Sequence, residues 1–386
     1  MDCSHVFEFK VNRLIVAFTL FLAFFAVVPS VYAQTEAVDS AVVDSANVHA
    51  EKPSSEGANG EEKFDPTAVV MEHIADSHVW HVAGNFAFPL PVILYTPSGL
   101  EVFSSGEFHH GEADHKGKYN TYRLEEEAKG QSVSQNFFNK QIKVVGADGK
   151  VDEAASAEIM DFSITKNVAA MFLTVVILLF VFTAVATAYK KREGKSPRGL
   201  QSFLEPIFVF IRDDVARPNI GHDFARFMPF LLTIFFFILI NNLLGLIPIF
   251  PGGANVTGNI ATTFILAIFT LIIVNVNGNK YYWRHVFAPA VPKWMYIIMI
   301  PVELIGILSR PFALMVRLFA NITAGHIIVL SLISLIFIFK SLAIAPVSVA
   351  FVIFMDVLEL LVAFLQAFIF TLLSALFIGM AIEEHH

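Results

Sequence analysis

Two apolar stretches, residues 294–339 and 342–382, constrain this chain more than any other feature of its sequence. At 1.5 Å per residue the first would measure roughly 69 Å as one helix, more than twice the 30 Å hydrocarbon core. A single crossing would need a tilt of roughly 60°, outside the usual range of 0 to 40°. Each stretch is therefore either a hairpin or a helix lying almost in the membrane plane. Periodicity does not choose between the two, and both return the C-terminus to the same side. Pro301 and Pro311 permit local bends in the first stretch, and Pro346 can open the second.

The rest of the chain divides into parts with different solvents. Hydrophobic residues make up 55 % of it and charged residues only 16 %, against about a quarter charged in a soluble domain. The Asp and Glu residues concentrate between 34 and 165. Residues 1–33 have the form of a secretory signal peptide: Lys10 and Arg13 lead, residues 14–28 are apolar, and Val31-Tyr32-Ala33 offers a small-residue cleavage site. The alternative is an uncleaved first span, for which the apolar run falls short of about 20 residues. Cys3, the only cysteine, would leave with the signal, so the compartment rests on topology. Residues 34–66 have the composition of an acidic disordered linker. Residues 67–160 carry short Val-, Ile-, Phe- and Tyr-rich runs broken by Pro and Gly, which predicts a small β-rich domain. His73, His78, His81, His109, His110 and His115 fall there without zinc spacing or a cysteine, so no metal site is expected and solvated surface histidines are.

The membrane domain is expected over 161–386. Residues 168–189 are of spanning length and are followed by Lys190, Lys191, Arg192, Lys195 and Arg198. The positive-inside rule makes that loop cytoplasmic and the β-rich domain extracytoplasmic, as the signal peptide also requires. Residues 200–217 alternate apolar and charged residues at helical spacing, the pattern of an interfacial helix. Residues 227–250 cross outward and 259–276 return, with Lys280, Arg284, His285 and Lys293 again on the cytoplasmic side. The expected fold is an all-α polytopic membrane protein with about five transmembrane helices, the last two long, plus the small β-rich extracytoplasmic N-terminal domain.

A few polar residues interrupt the apolar runs. Arg317 carries a guanidinium that stays protonated and costs about 2.5 to 3.5 kcal/mol at the bilayer centre even on lenient insertion scales. It snorkels, pairs within the bundle, or serves the protein's function. Positions 356, 359, 363 and 366 return to nearly one helical angle, so Asp356, Glu359 and Gln366 form a polar stripe. Glu303, Arg310 and Arg317 lie near another stripe, with about 21 Å between its ends. There Glu303 either serves an ion pathway or pairs with Arg310.

The pattern Arg317-x-x-x-Asn321-x-x-x-Gly325-His326, the run Glu359 to Gln366-Ala-Phe-Ile-Phe, the run FFILINNLLGLIP (236–248) and Pro301-Val-Glu303 together resemble subunit a of the F-type ATP synthase. The resemblance covers roughly residues 160–386. It implies that the last two helices are long, strongly tilted and wrapped against a rotating ring of c subunits. It also implies two aqueous half-channels on either side of Arg317, with Asn321, His326, Glu359 and Gln366 lining the outer one and Asn259 and Asp356 as further candidates. Glu303 is the candidate for the inner one. In the commoner bacterial pattern an acid stands at position 326 and a histidine at 359; here the two are exchanged. Many relatives carry an acid where this chain has Thr257.

The implied role is that of a non-catalytic proton-channel stator in a bacterial inner membrane, with the C-terminus cytoplasmic. The implied partners are the c-subunit ring, the b-subunit peripheral stalk, the remainder of the complex and membrane lipid, without nucleic acid or cofactor. No Gly-x-x-x-x-Gly-Lys-Ser/Thr segment occurs, so ATP chemistry belongs to other subunits. The rival expectation is a self-contained secondary transporter, for which internal repeats would speak; no convincing repeat is present.

Overall fold

A computed structural model describes residues 76–83, 86–111, 113–124, 142–146, 148–192, 195–247, 250–288, 292–339 and 344–383. The expected signal peptide, the acidic linker and His73 lie outside these residues.

The described part of the N-terminal region is β-structured, as its short Val-, Ile-, Phe- and Tyr-rich runs predict. The strands are β1 (Val79–Ala83), β2 (Phe86–Pro89), β3 (Pro91–Thr96), β4 (Gly99–Ser104), β5 (His115–Lys116), β6 (Thr121–Leu124), β7 (Ile142–Val145) and β8 (Met160–Asp161). They form three antiparallel sheets, ordered β1-β2, β4-β3-β8 and β5-β6-β7, and a short helix α1 (Glu153–Ala157) precedes β8. Alternation along β3 buries Val92 and Leu94, which pack with Phe108, Tyr122, Ile142, Val144 and Ile159. One carboxylate shares this interior. Glu101 accepts hydrogen bonds from the Tyr122 hydroxyl at 2.7 Å and from the amides of Lys118 and Tyr119 at 2.8 and 3.1 Å. Burial, and then the Glu101 charge, push the Tyr122 phenol above its ordinary range.

The histidines are not uniformly at the surface. His78 is only 4 % exposed, with Nε2 3.6 Å from Asp161, whereas His115 meets Glu107 at 2.6 Å. Burial alone would raise the Asp161 carboxyl; His78 and the Ser163 donors outweigh it and hold that group below the usual carboxylate range.

Helices make up the rest: α2 (Lys166–Lys191), α3 (Leu200–Phe210), α4 (Arg217–Ile220), α5 (Phe224–Leu246), α6 (Ile260–Val276), α7 (Lys280–Phe287), α8 (Tyr296–Phe339) and α9 (Ala345–Ile382). The first of these is capped from the β region. Thr165 at its N-cap makes no side-chain cap bond; instead Asp76 Oδ1 accepts from the amide of Asn167 at 3.0 Å, and the Ser77 carbonyl accepts from that of Lys166 at 2.8 Å. The expected interfacial segment is α3, which passes through a π-helical turn (Ile211–Ala216) into α4 and ends at Gly221, whose φ of 75° suits glycine. Helices α6 and α7 meet at 103°. Among the described residues, four helical stretches are long and apolar enough to cross a membrane, five if α6 and α7 count as one bent span.

The alternatives left open for the two long apolar stretches now separate. Each is a single helix, α8 of 44 residues and α9 of 38, and neither is a hairpin. Pro301 and Pro311 lie inside α8 without ending it, and Pro346 occupies the first turn of α9, where a missing amide hydrogen leaves no bond unmade. The two helices run antiparallel: the Ser348 hydroxyl donates to the Leu332 carbonyl, Glu359 lies against Gly325, and the Arg310 guanidinium lies over the Phe377 ring, 5.6 Å from its centroid. Interpolated between these pairs, Gln366 stands within a turn of the level of Arg317.

Helix α5 is the best buried of the set, while α8 buries only Pro311, Leu314, Met315, Leu318 and Ser334. The outer face of α8, with Ile297, Ile305, Leu308 and Phe312 exposed, is a surface for lipid or another protein. The far end of α9 is tight. A Cβ on Gly379 would overlap the backbone carbonyl of Asn219, which cannot rotate away. Gly379→Ala is therefore expected to cost about 1 to 3 kcal/mol as overpacking, visible as a lower thermal unfolding midpoint of the detergent-purified protein; an unchanged midpoint would show that the contact yields.

Candidate functional site

Two glycines mark where polar side chains lie against neighbouring helices. A Cβ at Gly325 on α8 would overlap the Glu359 carboxylate on α9. A Cβ at Gly245 on α5 would stand 3.4 Å from the Ala254 carbonyl and 3.8 Å from His326 Nε2. His326 therefore faces α5 and the α5–α6 loop, while Glu359 fills the notch at the neighbouring residue. The same loop closes the circuit. The Thr257 hydroxyl donates to Asn242 Oδ1 at 2.6 Å, Asn242 Nδ2 donates to the Ala363 carbonyl at 3.2 Å, and the Thr323 hydroxyl donates to the Gly258 carbonyl at 3.4 Å. Ala363 lies one turn along α9 from Glu359. Beside Asn242, Asn241 Oδ1 accepts from the Thr174 hydroxyl of α2 at 3.0 Å.

Among the described residues Glu359 Oε1 is buried without a hydrogen-bond partner, and so is Asn255 Nδ2 in the covering loop. An acceptor and a donor left in this state are the usual partners of internal water. The arrangement suits transfer of a proton between water, imidazole and carboxylate.

The other sequence candidates fall into different surroundings. Arg317 and Asn321, one turn apart, are both exposed on the outer face of α8, and Asp356 is exposed on α9, whereas Gln366 is buried at 4 %. The polar stripe on α9 thus runs from surface to interior. Asn259 acts as the N-cap of α6, its Oδ1 accepting from the Ala261 amide at 2.9 Å. Glu303 meets His285 of α7 at 3.6 Å, and Arg310 lines a small cavity with Thr270, Tyr282 and Phe377. Sequence reasoning did not single out Asn242, Thr323 or His285 as site residues. Asparagines side by side in a long apolar run were the available signal for the first. No group of three or more His, Cys, Asp or Glu able to hold a metal occurs among the described residues.

A protein-family comparison matches residues 168–379, which contain this site and Arg317, to the family described as ATP synthase A chain. This chain belongs to that family. Relatives named ATP synthase subunit a include one from Chloroherpeton thalassium, 52 % identical over 233 residues, covering 58 % of this chain and 69 % of the relative. One named ATP synthase subunit a 2, from Chlorobaculum tepidum, is 48 % identical over 229 residues, covering 57 % of this chain and 64 % of the relative. One from an Anaeromyxobacter species is 37 % identical over 349 residues, covering 87 % of this chain and 76 % of the relative. Residues 69–162 match a second family, described as a domain of unknown function. The ATP synthase A chain match accounts for the helices from α2 onward, and the second match for the β region.

Proposed function

We propose that this chain is the proton-conducting stator subunit of an F-type ATP synthase membrane sector in a bacterial inner membrane. The observation that carries the reading is the placing of polar groups about Arg317. His326 stands nine residues further along α8, about 13.5 Å by helical rise, and Glu303 stands fourteen residues back, about 21 Å. One polar pair therefore lies on each side of a fixed cation, with His326 and Glu359 at one end and Glu303 and His285 at the other.

Lys190, Lys191 and Arg192 at the end of α2, with the cations of α7, support a cytoplasmic position for the Glu303 end and an outer position for the His326 end. The C-terminus is then cytoplasmic and the β region extracytoplasmic. Protons enter from outside through the His326/Glu359 cavity and neutralise a carboxylate on a partner ring of c subunits docked on the exposed face of α8. They leave by way of Glu303 after nearly a full turn. A carboxylic acid crosses lipid neutral and ionises beside Arg317, whose charge favours the anion and cannot itself relay a proton. Each 100 mV contributes about 2.3 kcal/mol per charge that crosses.

The b-subunit stalk and the rest of the complex hold the chain against the ring's torque. Isolation in mild detergent is expected to bring down a ring of small hairpin subunits, and the reconstituted complex to acidify vesicles on addition of ATP. Recovery of the chain alone, stabilised by a small solute, would favour a self-contained transporter instead.

A further inference from the structure

The α5–α6 loop is gripped from two sides. From the cavity side, Ala254 approaches Gly245 beside His326, Thr257 bonds Asn242, and Gly258 accepts from Thr323. From the other side the β region holds it. Trp80 of β1, 6 % exposed, donates its indole N–H to the Gly252 carbonyl at 3.1 Å and sets its ring edge-on to Phe250, with centroids 5.1 Å apart; Phe88 of β2 stacks on the same ring at 5.9 Å. Gly252 has no room for a side chain, since a Cβ there would overlap the Ile247 carbonyl. Between the two grips lies Asn255. It is 5 % exposed, its Oδ1 is occupied by the Gly258 amide at 2.9 Å, and its Nδ2 has no partner among the described residues. Asn255 Nδ2, a buried donor, and Glu359 Oε1, a buried acceptor, are both left without a hydrogen-bond partner among the described residues, the condition that internal water commonly relieves.

Resting on the reading of His326 and Glu359 as the outer half-channel, we propose that the β region is a positioning cap for that channel. Trp80 fixes residues 252–258 so that protons reach His326 and Glu359 through a narrow hydrated inlet past Asn255. Trp80 touches neither proton-carrying side chain and acts through the loop. The β region thereby gains a role in the motor: it sets how readily the outer water phase communicates with the cavity, without taking part in rotation.

Two measurements on the complete ATP synthase complex test this. The first is an accessibility assay in Asn255→Cys, where Cys3 is the only other cysteine of the chain and is replaced by serine. A membrane-impermeant methanethiosulfonate added outside is expected to label position 255 slowly with Trp80 intact and about tenfold faster with Trp80→Phe, which keeps the ring on Phe250 but removes the donor. That factor is the change in an opening equilibrium expected from losing one buried hydrogen bond. Equal rates overturn the clamp.

The second is the rate of ATP synthesis against outside pH at fixed membrane potential and fixed inside pH. Trp80→Phe is expected to displace the half-maximal outside pH by at least about 0.5 unit, leaving the rate at saturating outside proton concentration and the inside-pH dependence unchanged. A fall in assembled complex with an unaltered outside-pH profile would make Trp80 merely structural and overturn the proposal. Glu359→Gln in the same assay separates the two layers. If it leaves the outside-pH profile untouched, the half-channel reading fails and the cap falls with it; if it displaces the profile while Trp80→Phe does not, only the cap is refuted.

Discussion

Arg317→Ala is expected to abolish ATP synthesis driven by a proton gradient, leaving a passive proton leak across vesicles that contain the assembled membrane sector. The residue lies exposed, one turn from the exposed Asn321, on a helix whose outer face is mostly apolar, a costly position for a permanent cation unless a partner anion visits it. Once the guanidinium is gone, nothing on that face of α8 favours the ionised form of a passing carboxylate. A protonated ring then slips between the two access routes without returning its proton. Arg317→Lys is expected to keep part of the barrier to leak but little synthesis, since an ammonium is a point charge that lacks the planar fork and gives up its proton far more readily when desolvated. The measurement is paired: ATP synthesis under an imposed gradient, and collapse of that gradient with no nucleotide present. Synthesis that survives in Arg317→Ala would remove the assigned role.

The second large effect concerns the exchanged pair. Glu359→His leaves two imidazoles in the cavity, and His326→Glu leaves two carboxylates, which cannot both ionise at close range. Each single change is expected to cut proton-driven synthesis by roughly tenfold or more, an effect of the size that general acid–base groups carry. The double variant His326→Glu, Glu359→His restores one acid and one imidazole and is expected to recover most of that loss. Geometry makes the recovery reasonable, because Glu359 lies against Gly325 of α8 and His326 is the next residue of that helix, near Gly245 of α5, so the two positions border the same stretch of α8. Effects that simply multiply in the double variant would mean that the two groups do not share a pathway.

Much of the architecture was legible from hydropathy and charge. Residues 168–189 as a span follow from the length of their apolar run, and the β region from short Val-, Ile-, Phe- and Tyr-rich runs broken by Pro and Gly, which are local properties. The long helices were not decidable, because a hairpin and a continuous helix bury the same apolar pattern. The outcome depended on whether a turn occurs within residues 294–339, where Pro301 and Pro311 alone did not make one. Asn259 shows a local rule that was available: an asparagine just before an apolar helical run is first a cap. His78 was expected at the surface and is buried, because its surroundings are Asp161 and the start of α2, distant in sequence. Glu303 was weighed against Arg310 on its own helix, while its neighbour in space, His285, comes from the bent segment α7. Thr257 stood out in the sequence only as a departure from a family pattern. The fold gives it a partner, Asn242, in the bond that ties the loop to α5.

The cap that Asp76 and Ser77 place on α2 carries a consequence for biogenesis. The leading amides of the first membrane helix are met by residues that precede it by about ninety positions and belong to another folded unit. A newly made chain therefore cannot complete the start of α2 in its mature form until the segment bearing Asp76 and Ser77 has folded back against it. Folding of that segment and completion of α2 become successive steps of one maturation pathway.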